Sequence, residues 1–230
     1  LTDHAVFDES SPAWLPNGEE IVFISNHAPD PDLDPDLDDL WIISAAGGEA
    51  RKIETPQGAK WLVSVSPDGQ TVAYVGQEGI GISDQNENLW VVARDGSSPA
   101  RNLTQAHDLN VSASTINDMG EPETMPPLWT DGGRRLLFSV VLHGSSILMS
   151  ITTDGNDLQT VIGEGGVAAG LTLDQSQSTL AYFYGTMNDT GQVWARDMAS
   201  GTAQCLTNIN RDLIEEIDLG QMQELWIKGP

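Results

Sequence analysis

Val65-Ser66-Pro67-Asp68-Gly69-Gln70-Thr71-Val72-Ala73-Tyr74 decides the fold, because it recurs. Aligned on Gly69, the same phrase runs from Trp14-Leu15-Pro16-Asn17-Gly18 into Ile21-Val22-Phe23, and from Trp129-Thr130-Asp131-Gly132-Gly133 into Leu136-Leu137-Phe138. A fourth, weaker copy runs from Asp174 through Gln177 into Leu180-Ala181-Tyr182. In all four the apolar triplet starts three residues after the aligned turn residue. The intervals between turn residues 18, 69, 133 and 177 are 51, 64 and 44, so loops of variable length surround a fixed unit.

Each unit has a second half. Leu40-Trp41-Ile42-Ile43, Leu89-Trp90-Val91-Val92, Ile147 to Ile151 and Val193-Trp194 each precede a turn, at Gly47-Gly48, Asp95-Gly96, Asp154-Gly155 and Ser200-Gly201. A last short run follows each turn: Ala50 to Ile53, Ala100 to Leu103, Leu158 to Ile162, and Ala203 to Leu206. Asn-Gly and Asp-Gly supply the positive φ angles of tight hairpins, and short runs of branched and aromatic residues between Gly and Pro favour strand over helix. Triplets apolar on successive residues require both strand faces to be buried. Small antiparallel sheets covered on both faces by their neighbours make a β-propeller, whose repeat is roughly 40 to 50 residues per blade. A two-sheet sandwich would not need the same four-strand phrase repeatedly. The expected fold is all-β: four-stranded antiparallel blades, about four of them, in an incomplete propeller over residues 1–209, followed by an exit segment at 210–230.

Composition narrows the function. With 34 acidic residues against 10 basic, the net charge is -24. Nucleic acid needs clustered Lys and Arg on its phosphates, and Arg134-Arg135 is the only adjacent arginine pair, so no nucleic-acid partner is expected. Anionic membranes are disfavoured likewise. Nothing resembles a membrane span of about 20 apolar residues, and no basic, apolar leader opens the chain. The expected compartment is the cytoplasm, with the periplasm as the other choice. The acidity reads first as solubility. Cys205, the single cysteine, cannot form an internal disulfide and reads as a small core residue.

Asp30 to Asp39 packs six carboxylates into ten residues. Asp30, Asp32 and Asp34 match the start of a calcium loop, but Pro35 stands where Gly is wanted and Trp41 where Glu is wanted. The alternatives are a looser ion site and a solvated loop between the second and third strands of a blade. His4, His27, His107 and His143 are far apart in sequence and form no paired-ligand motif. Gly96-Ser97-Ser98-Pro99-Ala100 and Gly144-Ser145-Ser146-Ile147-Leu148 lack the closing glycine of a nucleophile elbow. Gly163-Glu164-Gly165-Gly166 precedes no Lys-Ser/Thr pair and reads as a loop. Trp41, Trp90 and Trp194, like Trp14 and Trp129, recur at equivalent places, which favours packing between blades over a binding site. No catalytic residue, metal ligand or cofactor is assigned.

The wording of the repeats resembles the propeller of the prolyl oligopeptidase family of serine peptidases, most closely its acylaminoacyl-peptidase-like branch. The matching phrases are Ser11-Pro12-Ala13-Trp14-Leu15-Pro16-Asn17-Gly18, Ser66-Pro67-Asp68-Gly69, Asn88-Leu89-Trp90-Val91-Val92 and Arg101-Asn102-Leu103-Thr104. Asn210-Arg211-Asp212-Leu213 and Glu224-Leu225-Trp226-Ile227-Lys228-Gly229-Pro230 look like that family's exit into its α/β-hydrolase domain. The resemblance implies a non-catalytic propeller that caps the active site of a parent peptidase and limits access to short peptides, its substrate partner. It places Ser, Asp and His outside these residues. Paired glutamates that hold a peptide amine in some relatives have no supported counterpart in Glu19-Glu20 or Glu215-Glu216. The alternative is a TolB-like or WD40-like interaction scaffold with no enzymatic parent. Open terminal blades would favour self-association.

Overall fold

The computed structural model describes residues 1–4, 6–82, 84–111, 125–220 and 223–228. Each repeated phrase folds into one antiparallel sheet. Blade 1 is β1 (Glu9–Trp14), β2 (Glu20–Asn26), β3 (Asp38–Ser44) and β4 (Arg51–Ile53), hydrogen-bonded in that order. Blade 2 is β5 (Lys60–Val65), β6 (Thr71–Gly76), β7 (Asn88–Ala93) and β8 (Arg101–Asn102). In blade 3 the first strand comes in two pieces, β9 (Asn110–Val111) and β10 (Leu128–Thr130), which pair with opposite ends of β11 (Arg135–Leu142). β12 (Ser145–Thr152) and β13 (Leu158–Ile162) complete it. Blade 4 is β14 (Val167–Leu173), β15 (Thr179–Thr186), β16 (Asp189–Asp197) and β17 (Ala203–Cys205). The longest interval in the repeat falls between β9 and β10, where residues 112–124 lie outside the described residues.

Successive side chains of a strand point to opposite faces, and the cores follow that rule. Leu136 and Phe138 pack with Val75, Leu89 and Val91 of blade 2, whereas Leu137 between them packs with Leu171, Leu180 and Tyr182 of blade 4. Blade 1 sends Val22, Leu40 and Ile42 against Val72, Tyr74 and Trp90. Each fully buried Leu or Ile contributes roughly 1.5–3 kcal/mol relative to exposure. No cluster of buried residues joins blade 4 to blade 1 among the described residues, and the arc is open.

The third and fourth sheets are also joined by one parallel bridge, Ser146 to Val167, which the repeat alone does not predict. Blades 1 and 2 carry loops 27–37 and 77–87 between their second and third strands. Blade 3 has only His143-Gly144 there, both at positive φ as a two-residue hairpin turn requires, so β12 begins level with the first strand of blade 4.

The turn glycines do a second job. A Cβ on Gly69 would meet Pro16 Cδ of blade 1 at 3.3 Å, and a Cβ on Gly133 would meet Pro67 Cδ of blade 2 at 3.3 Å. Each first turn is thus seated on the proline of the turn before it. Gln177, at the same place in blade 4, instead donates its side-chain amide to the Trp129 carbonyl at 2.9 Å. Gly18 has open space where the others meet proline. Arginines repeat this pattern on the fourth strands: Arg51 donates to the Arg94 carbonyl at 3.1 Å, and Arg101 to the Thr153 carbonyl at 2.7 Å.

A bulge recurs in the first strands. Ser11 (φ 49), Leu62 (φ 53) and Gly170 (φ 58) each stand seven residues before the turn residue of their blade, and the strand register shifts there. Pro126 holds the same place before Gly133, and proline cannot take a positive φ. The first strand of blade 3 is the one that is split.

The turns also consume acidity read above as solubility. Asp174 accepts the backbone N–H of Thr179 at 2.7 Å and the Ser176 hydroxyl; Asp68 accepts Ser66 Oγ and Gln70 N–H; Asp197 accepts the N–H groups of Ser200 and Ala199. Donors from Ser176 first, then Thr179, hold Asp174 down to about 2, and Asp68, Asp154 and Asp197 are lowered for similar reasons.

Two residue readings are corrected. Cys205 is exposed rather than a core residue, because β17 is an edge strand whose outward face no described residue covers. Trp14 is 60% exposed although its counterpart Trp129 is buried and donates to Ser64 Oγ of blade 2 at 3.0 Å, because none of the described residues covers that face of blade 1.

Gly18→Ala should cost about 1 kcal/mol through the left-handed backbone alone. Gly133→Ala should cost roughly 1 kcal/mol more in urea unfolding, because its methyl also presses on Pro67; equal losses would refute the seating role. Asp174→Ala should lower the urea midpoint at neutral pH. Its folded pKa lies below the ordinary 3.8, so the wild-type advantage is present above 3.8 and fades as pH falls toward about 2.

Candidate functional site

At the end of blades 1 and 2 where the second and third strands are connected, one lysine is taken out of water. Lys60 opens β5 at 2% exposure, and its Nζ donates to three carbonyls: Asp38 at 2.7 Å, Gly58 at 2.8 Å and Pro56 at 2.9 Å. Its backbone N–H donates to Asp38 Oδ2 at 3.3 Å. Burial pulls the ammonium down to about 8, with the charges of Asp39 and Asp38 opposing and Lys52 adding to the fall. Burial raises Asp38, against the pull of Lys60. Asp39 also pairs with Lys52 at 2.8 Å.

The acidic stretch is tied down beside that cation. Asp36 accepts the Gly81 N–H of blade 2 at 2.6 Å, the Asn26 side chain donates to the Asp34 carbonyl at 2.7 Å, and Leu33 is left exposed. The loop lies between β2 and β3. Among the described residues no three His, Cys, Asp or Glu side chains are gathered to hold a metal ion. Asp30, Asp32 and Asp34 therefore do not converge as the calcium-loop spacing would require.

Two histidines remote in sequence share one stack. His4, Phe7, His27 and Trp41 lie face to face with successive ring centroids 3.8, 4.3 and 4.0 Å apart. Trp41 also donates to the Ser25 carbonyl at 3.1 Å, as Trp90 does to the Gly76 carbonyl at 3.1 Å. Burial holds His27 below the usual imidazole value, opposed by Asp39 and Glu9. His107 sits in a turn closed by its N–H on the Thr104 carbonyl. His143 pairs with Glu164 at 3.2 Å and meets Trp226 edge-on at 4.9 Å.

Several of the serines and glutamates singled out above are committed to structure. Ser146 Oγ donates to the Ala168 carbonyl at 3.1 Å, and Ser145 Oγ accepts the Gly165 N–H at 3.1 Å. Ser97 and Ser98 lie in the blade 2 turn. Glu20 pairs with Arg94, and Glu215 with Arg211 in the single turn of helix α1 (Arg211–Glu215). Arg134 and Arg135 pair with Asp131 and Asp157.

An open cleft of about 620 Å³ lies where this exit segment leaves blade 4, lined by polar and apolar side chains alike, Asp189, Gln192, Arg211 and Glu215 beside Ile209 and Ile214 among others. Gln192, 6% exposed, pins the segment by donating to the Asp189 carboxylate and the Ile209 carbonyl, while its carbonyl accepts Thr207 Oγ1 and the Ile209 N–H. Residues 223–228 carry no strand, and Gly229 and Pro230 lie outside the described residues. No described helix is long and apolar enough to cross a membrane.

The fold has close counterparts among solved structures at low sequence identity. The Pyrococcus horikoshii acylaminoacyl peptidase superposes over 93% of this chain and 29% of its own, with a TM-score of 0.64 and 16% identity. The β-propeller domain of the Trilobed protease from Pyrococcus furiosus superposes over 90% and 56%, at 0.62 and 15%. TolB from Acinetobacter baumannii superposes over 87% and 43%, at 0.59 and 16%. The chain thus spans less than two thirds of each of these proteins. No protein-family model and no curated protein matches it. The β-propeller architecture is shared with peptidase propellers and with TolB.

Because Lys60 sits below its ordinary 10.5, the unfolded chain holds a proton that the folded chain has released between about 8 and 10.5. Stability should therefore rise with pH across that window. Lys60→Met should remove that rise, measured as the difference between wild-type and variant urea midpoints; parallel profiles would show that the ammonium is not penalised by burial.

Proposed function

We propose that this chain is the non-catalytic propeller portion of a serine peptidase, lying over an active site carried elsewhere in the polypeptide and restricting its substrates to short peptides. The observation that carries the reading is the superposition of nearly the whole chain on under a third of an acylaminoacyl peptidase, joined to its likeness to a protease domain that is itself a propeller. Ser145 and Ser146, two of the serines singled out in the sequence, hold backbone groups, which supports a role without chemistry of its own. Specificity then arises by exclusion: blades standing over the site admit an extended peptide and turn away a folded protein.

The likeness to TolB favours a second reading, a scaffold that binds protein partners and has no peptidase attached. The two part on what the gene encodes after the Pro230 codon. The peptidase reading expects a strand, a G-x-S-x-G turn and later Asp and His; further blades or a stop codon there would favour the scaffold. The isolated chain should not be labelled by a serine-directed fluorophosphonate. Peptide turnover by the isolated chain, lost on substituting a propeller residue, would overturn the assignment.

A further inference from the structure

We infer that the loops of blades 1 and 2 bind cationic peptides in which lysine or arginine flanks an apolar side chain, and that such peptides are the substrates admitted. The surface is read from this chain alone; calling its ligand a substrate rests on the peptidase reading.

Charge is sorted between the two ends of the arc. Arg51, Arg94, Arg101, Arg134, Arg135 and Arg196 all stand at the end where the first strand turns into the second and the third into the fourth. Most carboxylates there already have partners. Glu20, Asp131 and Asp157 pair with arginines, and Asp68, Asp154, Asp174 and Asp197 accept donors of their own turns.

At the opposite end, loops 27–37 and 77–87 carry carboxylates without partners. Asp30, Asp32, Asp34, Glu78 and Asp84 are exposed, and among the described residues none of their carboxylates makes a hydrogen bond or ion pair. The lysines of these blades do not compensate them: Lys60 is buried under three carbonyls, and Lys52 pairs with Asp39. Apolar exposure is sorted in the same way. Leu33, 78% exposed, stands between Asp32 and Asp34, and Ile80, 59% exposed, follows Glu78 by two residues. None of the exposed large apolar side chains lies in the turns of the other end.

The two loops make one joined surface, because Asp36 of the first accepts the Gly81 N–H of the second at 2.6 Å, next to Ile80. Each is also fixed within its blade. Asn26 donates to the Asp34 carbonyl, Gly79 N–H bonds the Gln57 carbonyl at 2.8 Å, and the Gln77 amide donates to the Gln85 carbonyl. A surface already in place loses little freedom on binding.

The occupant follows from charge. Carboxylates on both sides of Leu33 repel anions and complement ammonium or guanidinium groups. Asp30, Asp32 and Asp34 do not gather on one point, so a chain of spaced positive charges fits them and a single metal ion does not. Leu33 and Ile80 then offer apolar contact to a side chain between those charges. The net charge of -24 steers such a peptide inward from beyond contact distance. Gln192 pins Ile209 of the exit segment at this same end, and Trp226 meets His143 of the blade 3 hairpin turn there. On the peptidase reading the catalytic part follows that segment, so a peptide entering it passes these loops.

Fluorescence anisotropy with labelled peptides tests the inference. A lysine peptide with a central leucine should bind, its counterpart with a central serine several-fold more weakly, and a glutamate version not at all; salt should weaken the binding. Asp32→Asn with Asp34→Asn should weaken it roughly fivefold, the effect of losing two exposed ion pairs. Glu19→Gln with Glu49→Gln removes the same charge from the other end and should leave it nearly unchanged. Leu33→Ser with Ile80→Ser should make the leucine and serine peptides bind alike. All six side chains are exposed, and an unaltered circular dichroism melt checks each fold. Absent binding, equal losses from the two charge pairs, a leucine peptide no tighter than the serine one, or displacement by calcium beyond that by sodium at equal ionic strength would each overturn the proposal. The peptidase reading fails separately, on the sequence after Pro230. Where that sequence encodes the hydrolase, Asp32→Asn with Asp34→Asn in the whole polypeptide should raise KM for a lysine-rich peptide and not for an uncharged one; an unchanged KM would overturn the substrate assignment.

Discussion

A strand buried on both faces has no side on which to place a polar residue, and everything else in this chain accommodates that constraint. Leu136, Leu137 and Phe138 illustrate it: alternate members enter cores on opposite sides of one sheet. A sheet of this kind cannot be stable alone, so each blade is a folding partner for the next. The contacts that set one sheet against another lie largely at strand ends and in the connections, where prolines seat glycines and arginine side chains meet backbone carbonyls.

Much of this was legible in the residues. The triplets after Gly18, Gly69 and Gly133 declare strand spacing and two-sided burial, and the turn residues declare hairpins. The seating of Gly69 on Pro16 was not legible, because a glycine needed for positive φ and one needed for close approach are written with the same letter. Nor were the bulges at Ser11 and Leu62, where two ordinary side chains take a left-handed backbone that the sheet imposes. Cys205 and Trp14 were misread for one reason. Equivalence within a repeat predicts burial only where the neighbouring unit is present.

The candidate site was harder to see. Lys60 sits between Ala59 and Trp61 at the start of a mostly apolar strand, and nothing local marks it as buried, since its acceptors come from Asp38 and from the turn at Pro56 and Gly58. The acidic stretch suggested an ion because its spacing is regular, yet Asp38 and Asp39 face lysines the chain itself supplies and Asp36 holds a neighbouring loop. Asp174, Asp68 and Asp197 likewise spend their charge on backbone donors in turns. A composition this acidic thus contains at least two populations, one solvated and one built into the fold.

The split first strand of blade 3 has an evolutionary consequence. Because β9 and β10 each hold their own end of β11, the chain between them is closed by two independent anchors, and its length can change without moving the register of either. Doubling the length of a flexible connection costs only about 0.6 kcal/mol in closure entropy. The scaffold therefore carries a ready graft point in the middle of a strand, where new sequence, and with it new recognition, can be inserted while the cores on both sides stay packed.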